Sequence, residues 1–353
     1  MLFPAVVAAQ QPGSAGERRP KLEVLQSLPE AQLFPLMNLV ATSLGVRCDY
    51  CHVQANPDLS RTPSNGGGWV WDRDDKLPKR RAREMMKMVV ELNASRFRRE
   101  AKVTCFTCHR GATQPSRLPT LPPPHPGSSR TPAPTPLPTA DRVWAAYVAA
   151  VGGSDAAPPG TGMIIRGWDD RPEGRYGKFE VMVAGSDRYR VSLTGPELTL
   201  TQGLYGDAAW GMANNAVQAL SPADVIRMRR IATRYQAVKE RPPNARVVGV
   251  ERVDDRDTYM LQGKLDSLTT RRSYFDVVTG LLRREITTTE TLLVPLEEQV
   301  DYDNYRDVGG VQLPFRIQHS DGAPYSTTTR IIMEIRRNVP VADTLFRPPP
   351  APR

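Results

Sequence analysis

Two periodicities divide this chain. In the first third, apolar residues recur at three- and four-residue steps: Leu33, Leu36, Met37, Val40, Ala41 and Leu44 lie on one helical stripe that Gly45 stops. Pro35 places the start of the regular helix at that position. A second helix is predicted from just after Asp74 and Asp75 to about Glu100, with Met85, Met88, Val89, Leu92 and Phe97 on or near one face. Ser64 to Gly68 reads as a polar loop, and no strand pattern stands out in this part.

After residue 139 the period changes. Val143, Trp144, Tyr147, Val148 and Val151 make one short helix, stopped by Gly152 and Gly153. Alternation follows at Phe179, Val181 and Val183 and at Tyr189, Val191 and Leu193. Further strands are predicted near 245–253, 258–265, 272–278, 281–289, 297–305, 313–319 and 326–335. Short strands separated by turn residues predict an antiparallel sheet. Phe275 to Leu282, with Gly280 in the turn, reads as a hairpin. Ser221, three residues before Asp224, caps one intervening helix that runs to about Tyr235.

Between the two parts lies a proline-rich stretch, with ten prolines from Pro115 to Pro138. Proline removes backbone donors and fixes φ, so this stretch reads as an extended spacer and a domain boundary. A length of 353 residues fits two domains. The predicted division is 1–19 as a signal remnant or disordered tail, 20–114 as the helical domain, 115–138 as the linker, 139–347 as the sheet domain and 348–353 as a second tail. Leu2 to Ala9 is apolar apart from Pro4 and ends in small residues, but no positive residue precedes it, so it reads as either the remnant of a signal peptide or an apolar tail. No run approaches the ~18 apolar residues of a spanning helix.

Cysteine and histidine carry the chemistry. All four cysteines of the chain, and two of its four histidines, fall into Cys48-Asp-Tyr-Cys51-His52 and Cys105-Phe-Thr-Cys108-His109. In a C-x-x-C-H motif the two thiols form thioethers to the vinyl groups of one haem, and the imidazole ligates its iron. A zinc ribbon would not need a histidine after each pair, a thioredoxin-like pair would need a βαβ setting, and disulfides across such small loops would stabilise little. Two covalently bound haem c groups are therefore expected. For the sixth ligands, His125 and His319 remain, together with Met37 on the helix before the first motif and Met85, Met86 and Met88 on the helix before the second. Methionine is a usual axial ligand of such haems.

The run from Lys21 to Gln26, Leu36-Met37, the first motif, Arg83 to Asn93, and Val103 to Gly111 resembles the cytochrome c subunit of photosynthetic reaction centres. The resemblance covers about residues 20–117. It implies that a helix bearing an axial methionine precedes each motif, which selects Met37 and Met85, with Met88 one turn on as the rival to Met85. That subunit is typically a four-haem protein, whereas this chain has one pair of motifs and resembles shorter di-haem relatives. The second part resembles periplasmic lipoprotein-sorting proteins at Ala140 to Gly153, Phe275 to Leu281, Asp303 to Pro314 and Val339 to Phe346. This implies an antiparallel half-barrel curved around helices, with an apolar concavity.

The expected fold class is thus multidomain, a mainly α di-haem cytochrome domain followed by an α+β antiparallel half-barrel domain. The net charge is +9. Over residues 17–117 there are 18 Lys and Arg against 11 Asp and Glu, a balance of 18 − 11 = +7 that four haem propionates would partly offset. Lys79, Arg80, Arg81 and Arg83 are candidates to face a propionate, although a solvated helix face is the plainer reading of each. Basic and acidic residues interleave and no recognition motif appears, so nucleic acid is not an expected partner. The expected function is single-electron transfer between redox proteins in the periplasm, not an enzymatic reaction. An apolar ligand in the half-barrel and association with a membrane stay open. The alternatives are a di-haem peroxidase-like enzyme and a haem redox sensor coupled to a lipid-binding half-barrel.

Overall fold

The computed structural model describes residues 22–54, 69–98, 100–115, 136–152, 160–171, 174–195, 199–213, 216–236, 238–291, 293–321 and 327–349. The expected N-terminal tail, most of the proline-rich spacer with His125, and the last four residues lie outside them.

The first described elements are α1 (Glu30–Leu44), α2 (Cys48–Cys51), β1 (Val53–Gln54), β2 (Trp69–Val70), α3 (Leu77–Arg96) and α4 (Cys105–His109). α1 starts earlier than predicted and carries Pro35 inside it. Its buried face, Leu36 and Val40, is anchored in a core that outweighs the lost backbone bond. Gly45 ends the helix in the left-handed region at φ 66°. α3 carries a proline in its first turn, where a missing N–H costs nothing. β1 and β2 pair antiparallel, a small sheet that the sequence pattern did not predict.

Beyond the spacer come α5 (Ala140–Ala150), β3 (Thr161–Arg171), β4 (Gly174–Ala184), β5 (Arg188–Thr194), β6 (Thr199–Tyr205), β7 (Ala208–Ala213), β8 (Ala216–Ala219) and α6 (Pro222–Thr233). The chain then continues through β9 (Arg246–Val253), β10 (Arg256–Lys264), β11 (Thr269–Asp276), β12 (Leu282–Thr289), β13 (Leu296–Asp307), β14 (Gln312–Ser320) and β15 (Thr328–Pro340). β3 to β15 form one sheet in the order β8-β7-β6-β5-β4-β3-β15-β14-β13-β12-β11-β10-β9, with every pairing antiparallel. Two meanders therefore meet at the β3–β15 pair, and α6 carries the chain from one edge strand to the other. At that seam a Cβ on Gly167 would stand 2.0 Å from the Ile331 carbonyl oxygen, so only glycine fits. The hairpin between β11 and β12 turns as predicted, with Gly280 at φ 74° and its N–H donating to the Asp276 carbonyl at 2.9 Å.

One face of the sheet is closed by α5 and α6. Val143, Tyr147 and Val151 of and just after α5, and Met228, Ile231 and Ala232 of α6, join inward residues of both meanders in one core. Tyr147 and Phe275 meet at a tilt with 5.0 Å between ring centres, and Trp144 meets each edge-on at 5.3 and 5.9 Å. The Ser221–Asp224 capping box that starts α6 forms as predicted.

The expected fold class is corrected by this architecture. The described chain is dominated by a 13-stranded antiparallel sheet, and it is not led by a mainly α domain. The four helices of the first part are 15, 4, 20 and 5 residues long, two of them single turns. Their core of Leu25, Leu36, Val40, Met86 and Val89 is completed by Leu293 and Val294, from the loop between β12 and β13. The helices thus close against the sheet region instead of around a core of their own.

Candidate functional site

The two cysteine motifs occupy equivalent local structures. Cys48 to Cys51 forms α2, with His52 in extended backbone just after it. Cys105 to His109 forms α4, capped by Thr104 and Thr107, which exchange backbone and side-chain hydrogen bonds. No cysteine is paired in a disulfide; three are half-buried and Cys108 is exposed. Burial pushes the thiols of Cys48, Cys51 and Cys105 above their ordinary range, so they are protonated at neutral pH. Among the described residues, no three His, Cys, Asp or Glu side chains converge as a metal-binding cluster, so the two pairs are not combined as a zinc ribbon would require.

The two histidines differ in how they are held. His109 Nδ1 lies 2.9 Å from the Ala112 carbonyl oxygen, a bond that needs the proton on Nδ1 and leaves Nε2 as a free lone pair. His52 Nδ1 is buried with no hydrogen-bond partner among the described residues. Its ring is held instead by Trp71, edge-on at 5.0 Å. Burial, then the cations Lys79, Lys76 and Arg83, push His52 down to about 4, so the ring is neutral at pH 7. Both imidazoles can therefore donate a nitrogen lone pair to a metal.

The helices pack crosswise. α1 lies on α4 and α3 lies on α2, so each methionine-bearing helix supports the motif of the other half. At the α1–α4 contact the Gly111 N–H donates to the Ser43 carbonyl at 2.9 Å, and a Cβ on Gly45 would sit 2.1 Å from the Gly111 carbonyl oxygen. Met37 is half-buried beside this core. On α3, Met86 is buried in the core, whereas Met85 and Met88 share an exposed face. This separates the three: Met86 packs, and Met85 and Met88 are available. His319, by contrast, is buried in β14 with Nε2 2.8 Å from Glu298 Oε1, so it is committed far from the cysteines in sequence and by its own bond.

The basic run is largely spoken for. Lys79 is buried and donates to the carbonyls of Trp71 and Arg73, both at 2.6 Å, and pairs with Asp74 at 3.0 Å. Arg83 pairs with Asp74 at 2.7 Å and faces Glu23 at 3.7 Å. Arg80 reaches the Asp74 carbonyl at 3.4 Å. These bonds pin the 71–75 turn, and with it Trp71, onto α3. Asn93, buried on α3, similarly exchanges two bonds with the backbone of Val103, at 2.8 and 3.0 Å, just ahead of the second motif. The roles of Trp71, Asp74 and Asn93 escape the sequence reading. A polar residue on the apolar side of a helix, as Asn93 is, was the available signal.

Residues 63–131 match the family model of the photosynthetic reaction centre cytochrome C subunit. The matched stretch holds α3 and the second motif and begins after the first motif. It supports a cytochrome-like, haem c-binding electron carrier at the level of the family. A search of curated proteins returns no match. Among solved structures, the chain is similar to a LolA superfamily protein from Nitrosomonas europaea, at 14% identity over 60% of this chain and 99% of that one, with a TM-score of 0.39. It is also similar to a DUF1329 family protein from Desulfovibrio piger, at 13% identity over 59% of this chain and 96% of that one, TM-score 0.38. A third likeness is to a domain described as an outer membrane lipoprotein-sorting protein from Vibrio parahaemolyticus, at 10% identity over 59% and 94%, TM-score 0.36. Likenesses this distant assign no function. No helix among the described residues is long and apolar enough to cross a membrane.

Proposed function

We propose that the chain is a periplasmic di-haem c-type cytochrome that carries single electrons between redox proteins, and that it is not an enzyme. The observation that carries this reading is the pair of C-x-x-C-H motifs on short helices, with cysteines unpaired in disulfides and each histidine beside its pair, surrounded by uncovered apolar side chains. Phe34, Tyr50, Trp71, Met85, Met88 and Phe106 are all exposed around them. Such a surface suits a large flat apolar group.

Cys48 and Cys51 would hold one haem and Cys105 and Cys108 the other. His52 and His109 would each offer a ring nitrogen to an iron, and Met37 and Met85 a thioether sulfur. The chemistry that bound haem would supply is the transfer of single electrons. The chain's own part is to hold the ligands still. Ala112 fixes the tautomer of His109, while Trp71 and the Lys79–Asp74 bonds fix the ring of His52.

A reduced-minus-oxidised spectrum with haem quantification tests the reading. Two haems per chain are expected, and one or none overturns it. Met37→Ala and Met85→Ala should each weaken the near-infrared band of ferric methionine-ligated haem, while Met86→Ala should leave it intact. Loss in Met88→Ala alone would move the ligand by one turn. Ready binding of carbon monoxide by the reduced unmodified protein would speak for the peroxidase-like alternative.

A further inference from the structure

The sheet region holds a second cluster of charge, remote in sequence from the cysteines. Between the end of α6 and strands β11 to β13 lies a cavity of about 20 Å³. Its charged lining is Arg230, Arg234, Lys239, Arg271, Glu285 and Glu298, with Glu240 exposed at the rim. An acyl chain does not fit so small and polar a space.

The charges inside do not balance. Four cations face two inner carboxylates, and those carboxylates are already engaged. Glu298 accepts from Arg234 and from His319, and lies 3.9 Å from Arg230. Glu285 accepts from the Tyr302 hydroxyl at 2.9 Å and from Ser273 at 3.5 Å, with Arg271 only at 3.8 Å. His319 adds nothing at pH 7, since burial pushes it down to about 4. Lys239 spends its ammonium on the carbonyls of Arg234 and Gln236 at the end of α6. This leaves N–H donors over. Arg234 is 7% exposed, yet among the described residues its Nη1 has no hydrogen-bond partner, nor do the buried Nε atoms of Arg230 and Arg271.

Cations in excess, with Arg234 and Lys239 buried and guanidinium donors unspent, are stabilised by an anion that accepts several hydrogen bonds at once. We propose that this cavity binds one small oxyanion, a phosphate or carboxylate group, held by Arg230, Arg234 and Arg271. The guanidinium planes suit such an acceptor better than lysine would, because each offers two or more fixed donors. The two inner glutamates keep the arginines aligned, Glu298 on Arg234 and Glu285 3.8 Å from Arg271. This site is independent of the cysteine motifs, and its failure would leave the electron-transfer reading untouched.

Calorimetric titration of the intact haem-loaded chain at low ionic strength, first with inorganic phosphate and then with a short alkyl phosphate, tests it. One saturable event per chain is expected. Arg271→Gln should weaken it at least tenfold, because it removes a donor while Glu285 keeps its Tyr302 and Ser273 bonds. Arg256→Gln, at an exposed arginine beside Asp276, should not change it. Phosphate should also raise the unfolding midpoint of the unmodified protein and not that of Arg271→Gln, which checks that the variant is folded and separates binding from stability. Tighter binding of the alkyl phosphate would assign the anion to a lipid headgroup, and equal binding to a free oxyanion; both uphold the site. Absence of saturable binding, or binding unchanged in Arg271→Gln, overturns it.

Discussion

The cysteine-bearing helices and the 13-stranded sheet differ most in how they treat their aromatic residues. In the sheet region, Tyr147, Tyr189, Tyr274, Tyr302, Phe275 and Phe346 are all less than 2% exposed. In the helical region, Phe34, Tyr50, Trp71, Leu77, Met85, Met88, Phe97 and Phe106 are each more than a third exposed, and the core is small. One region buries its largest aromatic side chains; the other leaves them uncovered. A short helical segment that cannot bury its surface is marginal alone. Covalent haem would supply the missing interior, and the sheet supplies the rest through Leu293 and Val294.

The sharpest way to break this contrast is to remove the attachment points. Replacing Cys48, Cys51, Cys105 and Cys108 together by Ala should unfold the helical segment and leave the sheet folded. Limited proteolysis should then clear the first third while a fragment from about residue 139 survives, and circular dichroism should lose helix more than strand. A folded, soluble, haem-free helical segment would contradict the proposal. The effect is the largest expected, because anything bound only to the folded state stabilises it in proportion to its binding energy.

Next in size are two core truncations that load the regions differently. Phe275→Ala empties the aromatic cluster of Trp144 and Tyr147 and should cost about 3–5 kcal/mol in the sheet, with the haem spectrum unchanged. Leu293→Ala, 1% exposed in the shared core, should cost about 2–4 kcal/mol and weaken the helical segment as well. Chemical denaturation followed at the haem band and by far-ultraviolet dichroism separates the two. If Leu293→Ala left the haem-monitored transition in place, the helices would not depend on the sheet for closure.

Some of this was legible beforehand. The strands predicted near 281–289 and 313–319 are β12 and β14, because apolar alternation, β-branched residues and a glycine turn all point one way there. β3 was not legible. Gly162, Gly167, Asp169 and Asp170 break its alternation, and its place in the sheet centre is decided by pairing with β15 at the other end of the domain. The short β7 and β8 carry too few residues to show a period. At the cysteines, spacing alone identified the candidate ligands, because the chemistry demands a fixed sequence offset. The clamp of Lys79 on Asp74 and the cavity around Arg234 depend on residues far apart in the chain. Arginine and lysine read as surface until the fold buries them.

The smallest expected effect is a pH dependence that belongs to the sheet. His319, buried 2.8 Å from Glu298, is pushed down to about 4 chiefly by burial, against 6.5 for the free side chain. Its folded value lies below its unfolded one, so in that window the unfolded chain binds more protons. The neutral ring's contribution is therefore complete above about pH 6.5 and is lost as pH falls towards about 4. Glu298 does not blur this window. Burial alone would raise it, but Arg234 and His319 outweigh burial and hold it well below the carboxylate range, so it stays ionised throughout. His52 is pushed the same way, so the raw pH slope mixes the two regions. The difference between the unmodified protein and His319→Gln isolates the sheet. Urea midpoints measured from pH 7.5 to 5 should fall more steeply in the unmodified protein, by up to about 1.4 kcal/mol per pH unit for a single proton. Equal slopes in the two proteins would mean that His319 titrates alike in the folded and unfolded chains, and a shallower fall in the unmodified protein would mean that it carries its proton in the folded state, paired as an ion with Glu298.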